Sequence, residues 1–284
     1  MYSMDNIFED LGLLLGINFV LYLVSLYIKN TYPVDFIWSM YPPALLYLIY
    51  VRDPPSFITI RLVVVFQLVA VWGFRLTSNF LGRGGIGHED WRYADMRVKF
   101  GKHFWWISLF SVFWGQTIFV FGITLPFYNA VSSPDSWSFL DSSGLVISTI
   151  GILLETFGDM QMDNFIQLKL QKKTDKKVLD TGLWSFSRHP NYLGEILFWW
   201  GQYLFQASSG PVWVFAGPLS LTALFFFVSV DLMEERQIKS KGELFLQYRR
   251  KVGSSILLLP PSLNRKLGSF LYPSDVLTSA DLSE

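Results

Sequence analysis

An all-α, polytopic membrane bundle of about seven transmembrane helices is the fold class predicted by the sequence, on three observations. Hydrophobic residues make up 51% of the 284 positions and aromatic residues 18%, a composition suited to burial in lipid. The apolar residues come in uninterrupted blocks, and a helix of about 20 such residues crosses roughly 30 Å of hydrocarbon. Finally, basic residues gather in alternate connections between the blocks, the asymmetry that orients membrane helices. The 23 basic residues balance 23 acidic ones, which gives no reason to invoke nucleic acid. With no cysteine in the chain, disulfides, thiolate nucleophiles and Cys-ligated zinc are all excluded.

The first block, near residues 7–28, is preceded by Asp5 and carries Glu9 and Asp10 near its start. A signal peptide has a basic region there, so this block is predicted to be a retained span. The second, 35–51, is short and contains Pro42 and Pro43; the third, 57–77, holds Arg61 near one end. Blocks at 104–128, 141–158, 191–208 and 210–231 complete the set. The connection from Arg75 to Lys102 contains Arg83, Arg92, Arg97 and Lys99, the connection at 159–190 is lysine-rich, and the tail adds Arg236, Lys239, Lys241, Arg249, Arg250 and Lys251. Connections 129–140 and 208–211 contain no Lys or Arg. The positive-inside rule then places the basic connections and the carboxyl terminus in the cytoplasm and the acidic amino terminus outside. Residues 1–260 are predicted to form a single integral membrane domain, and 261–284 a polar, disordered cytoplasmic tail. There is no internal repeat.

Chemistry concentrates at the cytoplasmic rim. "GRGGIG", with Gly82, Gly84 and Gly87, spells G-x-G-x-x-G, but a dinucleotide fingerprint needs a strand before it and a parallel sheet beneath it, so the segment is predicted to be a turn. The following "HEDWRYADMR" alternates acid and base around Trp91 and Tyr93, as in an interfacial helix with Glu89, Asp90, Arg92 and Asp95 open to ion pairing. Consecutive His88, Glu89 and Asp90 do not face one point on a helix, and no metal is predicted. In the fifth block Glu155, Asp159 and Asp163 recur every fourth residue, placing three carboxylates on one helical face. Arg75, Arg188 or the amide and ribose groups of a cofactor would suit that face.

In "TGLWSFSRHPNYLGEILFWWGQYLF", Pro190 fits a first helical turn, whose free N–H groups make an anion-receptive end. From there Asn191, Glu195, Trp199 and Gln202 form a polar stripe descending into the bundle, while Gly194 and Gly201, one heptad apart, permit close helix contact. Glu195 is then expected to be a buried carboxylate on a cavity wall, and intramembrane ionisable groups are functional by default.

Three segments, "WGFRLTSNFLGRGGIGHEDWRYADMR", "GLWSFSRHPNYLGEILFWWG" and "LMEERQIKSKGELFLQYRRKV", resemble the membrane family of DUF1295 proteins, related to the carboxyl-terminal domain of steroid 5-alpha-reductases. The similarity runs from about the third span to Pro261. It implies a cytoplasm-facing NADPH pocket in a seven-helix bundle, and reduction of a carbon–carbon double bond in a lipid or steroid-like substrate. The resemblance implies cofactor contacts at Asn191, Tyr192, Glu195, Asp159, Asp163, Arg188, Tyr248 and Arg249; His189 and Arg75, at the same rim, are also expected to bind the cofactor, and Glu195 and Tyr192 are the catalytic candidates for supplying a proton. One departure is Trp72, standing about where steroid reductases present a tyrosine to the substrate carbonyl; indole cannot titrate as an acid. The Arg-His-Pro-x-Tyr turn and the pair Glu234 and Glu235 also resemble isoprenylcysteine and phospholipid methyltransferases, which use S-adenosylmethionine. A non-enzymatic scaffold would explain the topology but not the polar stripe. The expected host is the endoplasmic reticulum in a eukaryote or the inner membrane in a bacterium.

Overall fold

The computed structural model describes residues 4–133, 136–207 and 210–273, and among these every regular element is helical, with no strand. In chain order the α-helices are α1 (Met4–Ile28), α2 (Tyr32–Trp38), α3 (Tyr41–Arg52), α4 (Ile60–Gly82), α5 (Trp91–Phe100), α6 (Phe104–Ser108), α7 (Gly115–Thr124) and α8 (Pro126–Ser132). They continue as α9 (Phe139–Leu170), α10 (Pro190–Leu204), α11 (Ala216–Leu224), α12 (Val230–Lys241), α13 (Glu243–Lys251) and α14 (Pro261–Leu271). Two π-helical turns, Leu109–Trp114 before α7 and Phe225–Ser229 before α12, interrupt otherwise continuous rods.

Among the described residues five helical stretches are long and apolar enough to cross a membrane: Met4–Ile28, Ile60–Gly82, Trp91–Ser132, Phe139–Leu170 and Val212–Lys241. The pair α2 and α3, bent by 53°, makes a sixth if it is one broken span; the ring of Pro42 near the start of α3 cannot continue the helix before it. The block expected to span 191–208 forms α10, a helix of 15 residues. At 1.5 Å per residue this is roughly 22 Å, short of the roughly 30 Å hydrocarbon core.

The chain forms two compact units, Met1–Val146 with Gly201–Gly217 and Ile147–Trp200 with Pro218–Glu284. The first unit holds its charges in pairs. Arg61, the cation read at the edge of the third block, is buried and grips Asp141 at the start of α9 with two hydrogen bonds, 2.6 and 2.8 Å, while a third goes to Ser133 Oγ at 3.0 Å. Charges removed from water persist only when paired and hydrogen-bonded in this way. Buried Asp10 on α1 accepts from Arg52 at 2.7 and 2.9 Å and from the Tyr128 hydroxyl at 2.5 Å. About two helical turns further along α1, the side chain of Asn18 meets the Tyr41 hydroxyl.

"GRGGIG" is a turn at the end of α4, with Gly84 and Gly87 at φ 71° and 77°, a region glycine enters without steric penalty. Asp90 caps α5 by accepting the Arg92 N–H at 2.9 Å, and Glu89 accepts from Arg97 and from the Thr31 N–H. The acid–base alternation of this segment thus resolves into a cap and ion pairs.

In the second unit α9 and α10 are in near backbone contact. A Cβ on Gly151 would stand 2.6 Å from Gly194 O, and one on Gly194 would stand 2.6 Å from Glu155 Cγ, so neither position has room for a larger residue. Ser148 Oγ donates across the same seam to Phe198 O at 3.3 Å.

The tail expected to be disordered from 261 is a helix to Leu271, α14; residues 274–284 lie outside the described set. Pro260 and Pro261 start it, proline being preorganised for a first helical turn. Buried Asn264 then anchors it, donating to Phe186 O at 2.9 Å and Leu259 O at 2.8 Å while accepting the Ser254 N–H at 2.9 Å. Asn264→Ala removes all three of these bonds, with Phe186 O keeping the Leu259 N–H, and is expected to destabilise this region by about 1–3 kcal/mol, read as increased hydrogen exchange at residues 252–271 relative to the wild type.

Candidate functional site at the start of the tenth helix

The approach to α10 is folded by the two segments that flank it. A short 3₁₀ turn, Gly182–Ser185, docks on α9 through Trp184 Nε1, which donates to Gly158 O at 3.1 Å, and through the Leu183 N–H, which donates to Gln161 Oε1 at 2.9 Å. Residues 186–189 then run beside the carboxyl-side chain: the N–H groups of Arg188 and His189 donate to Ser254 O and Ser255 O at 3.1 and 2.8 Å, and that of Leu259 to Phe186 O at 3.0 Å. The Ser187 hydroxyl adds a bond of 2.8 Å to Ile256 O.

Within this frame the Arg188 guanidinium is 1% exposed. Its Nε donates to Glu234 Oε1 at 2.6 Å, one Nη to Val252 O at 2.5 Å and the other to the Tyr272 hydroxyl at 3.0 Å. His189 Nε2 lies 3.3 Å from the same Glu234 oxygen. The His189 ring stacks on Tyr192, 5.0 Å between centroids, and Tyr192 stacks on Phe225 at 4.5 Å. Phe225 opens the second π-helical turn, and such turns often re-aim side chains at functional sites. Burial holds the His189 pKa below its ordinary value and the nearby Arg188 charge acts the same way, only partly offset by Glu234, so the imidazole is neutral near pH 7.

The structure therefore gives Arg188 and His189 an internal task at the neck of α10. Tyr248 is buried, its hydroxyl donating to Trp184 O at 2.7 Å and its pKa pushed up by burial; the Arg249 guanidinium sits 4.3 Å over the Tyr272 ring. Tyr272 thus has a guanidinium at each of two approaches, with Arg188 at 5.3 Å. The helix start is less anion-receptive than its sequence suggests, because the N–H groups of Tyr192 and Leu193 are directed at His189 O, at 3.1 and 3.4 Å.

Below the neck the wall is made of acceptors. Glu155 and Asp159 on α9 are buried, Asp163 half-buried. Glu195 on α10 is half-buried and accepts from Trp199 Nε1 at 2.8 Å, one turn deeper, which places both on the stripe read from the sequence. Asn191 Oδ1 is buried and has no hydrogen-bond partner among the described residues; Gly158 of α9 packs on this end of α10, where a Cβ would stand 3.6 Å from the Asn191 N. Asn191, Glu195, Tyr192, Asp159, Asp163, Arg188, His189, Tyr248 and Arg249 all belong to the second unit, and Arg75 to the first.

Sequence reasoning left Glu234, Phe225 and Tyr272 out of the site. The Glu-Glu pair was a signal for the first; nothing local marks an aromatic 84 residues from Arg188 as its cap. No group of three or more His, Asp or Glu able to hold a metal ion occurs among the described residues.

The chain matches the family model described as protein of unknown function (DUF1295) over residues 21–252. An uncharacterized protein of Schizosaccharomyces pombe is 28% identical over 273 residues, covering 85% of this chain and 77% of that protein. The protein-S-isoprenylcysteine O-methyltransferase of Saccharomyces cerevisiae is 32% identical over 95 residues, 31% of this chain and 36% of that protein. No solved structure matches.

Proposed function

Since the chain belongs to the DUF1295 family, we propose that it is a membrane-embedded, NADPH-dependent reductase acting on a carbon–carbon double bond of a lipid or steroid-like substrate. The observation that carries this reading is the buried, unpartnered Asn191 Oδ1 at the head of a wall of carboxylates. A buried acceptor without a donor costs about 1–3 kcal/mol, and a ligand presenting amide or hydroxyl donors removes that cost. The residues fit the nicotinamide and ribose portion of the cofactor: Asn191, Asp159 and Asp163 would accept from it. Arg249, whose guanidinium lies 4.3 Å over the Tyr272 ring, would be the cation nearest its phosphates, with Arg188 bound to Glu234.

The bound cofactor supplies the hydride. The chain supplies the rest. A protonated Glu195, oriented by the Trp199 indole, would deliver the proton that completes saturation of the double bond. Tyr192, held flat between His189 and Phe225, is the second candidate donor. Phe198 and Trp199, both fully buried on the same helix, would help keep water from the reacting groups. Asn191→Ala or Asp159→Ala should each weaken NADPH binding by about 1 kcal/mol or more with the fold intact. Unchanged affinity of both variants in calorimetry would take these residues out of the pocket.

One finding favours a second reading. The local similarity to an isoprenylcysteine methyltransferase accords with an S-adenosylmethionine site, since the same carboxylates would suit an ammonium or sulfonium group. Identifying the nucleotide that co-purifies with the detergent-extracted protein separates the two.

We further propose that the site opens to the cytoplasm, with the carboxyl terminus on that side, in the endoplasmic reticulum of a eukaryote or the inner membrane of a bacterium. Trp137→Cys, in the connection without Lys or Arg, should then react with an impermeant thiol reagent only from the opposite side. Reaction from the cytoplasm would reverse the orientation.

A further inference from the structure

A helix packed on a protein surface in water buries its apolar stripe and shows its polar residues, but α14 does the reverse. The residues it buries are Asn264 and Gly268. Gly268 lies so close to the Arg250 backbone that no Cβ could be added there, and Asn264 makes the three hydrogen bonds given above. Outward it turns Leu263, 48% exposed, Phe270, 80% exposed, and Leu271, 48% exposed, with Leu257 on the preceding strand of chain at 52%. Leu263 and Phe270 are one heptad apart and so share a face.

The charge along this stretch has one sign. Residues 244–274 contain Arg249, Arg250, Lys251, Arg265 and Lys266 and no Asp or Glu. Arg265 and Lys266 are both exposed and lie beside the apolar stripe, where their aliphatic stems can run along it and their charges reach its edge. The helix also follows, through α13, directly on the stretch Val212–Lys241, which is long and apolar enough to cross a membrane.

We infer that α14 is an interfacial helix that lies on the bilayer, its Leu263, Phe270 and Leu271 side chains set among the acyl chains and Arg265 and Lys266 against anionic headgroups. A contiguous apolar face turned outward marks contact with something other than water, and a basic flank beside an apolar face is what an anionic lipid surface attracts. Because the inner face of α14 carries Asn264 and leads into Tyr272, the lipid contact also holds the segment that caps Arg188.

The absence of native cysteine makes the test direct. Nitroxide labels are placed on Phe270→Cys and Leu263→Cys, and on Arg265→Cys and Ser269→Cys of the polar side, in the full-length protein reconstituted in phosphatidylcholine vesicles with and without phosphatidylserine. At 263 and 270, relaxation by oxygen should exceed relaxation by an aqueous nickel chelate several-fold, at a depth of roughly 5–10 Å; at 265 and 269 the order should invert. Phosphatidylserine should deepen the label at 270, and Arg265→Gln with Lys266→Gln should abolish that increment. Nickel reaching 270 as readily as 265 would overturn the proposal. So would exclusion of both reagents at 270 together with dipolar broadening, because a second copy of the chain would then cover the stripe.

Discussion

Replacing Glu234 with alanine should destabilise the neck of α10 by about 3–5 kcal/mol, the usual cost of leaving a buried guanidinium without its counter-charge. Arg188 would keep Val252 O and the Tyr272 hydroxyl but lose the Glu234 carboxylate, and His189 would lose the acceptor 3.3 Å from its Nε2. Glu234→Gln preserves shape and one acceptor and should cost less. The measurement is thermal unfolding in detergent, following Trp fluorescence; a variant melting like the wild type would show that the Arg188–Glu234 pair contributes nothing net.

The same neck sets a pH dependence. His189 has a folded pKa below the ordinary 6.5, through burial first and the Arg188 charge beside it. The folded protein therefore binds fewer protons than the unfolded chain in the interval below that value. The stability this contributes is present above about pH 6.5 and is lost as pH falls through the folded pKa. His189→Gln cannot titrate and should flatten the acid limb of the stability profile, with Glu234 and Arg188 still in place.

The largest effect on turnover is expected at Glu195. Glu195→Gln keeps the acceptor for the Trp199 indole, 2.8 Å away in the wild type, but cannot donate a proton as an acid. NADPH binding should survive or fall modestly, while hydride transfer to an added enone lipid, followed as NADPH oxidation, slows about 10²-fold or more. If the ligand is instead S-adenosylmethionine, neutralising this carboxylate should chiefly weaken cofactor binding. Tight S-adenosylmethionine binding by the wild type, lost in the variant and with no NADPH binding by either, would overturn the reductase reading.

Sequence alone determined the solvent, and through it the fold class. Lipid offers no hydrogen bonds to a backbone, so long apolar blocks must be helices, and their edges are legible to about five residues for Met4–Ile28 and Ile60–Gly82, whereas the last block, read as ending at 231, continues as a polar helix to Lys241. It marked one side of a close helix contact, Gly194 and Gly201 a heptad apart, and the structure supplied the other side, Gly151 and Gly144. It also determined the stripe of Asn191, Glu195 and Trp199, since helical periodicity is a local property. What it could not determine was which charge meets which. Arg188 stands 46 residues from Glu234 and Arg61 stands 80 from Asp141, and nothing in the local pattern at either end names the other. Arg188 therefore read as a cofactor contact, whereas the tertiary structure made it the keystone of the neck. α14 escaped for a related reason. Its buried face is Asn264 and Gly268, residues that resemble loop in isolation, and it is stable as a helix because the chain packs backbone against backbone there, a contact between distant segments that no periodicity encodes.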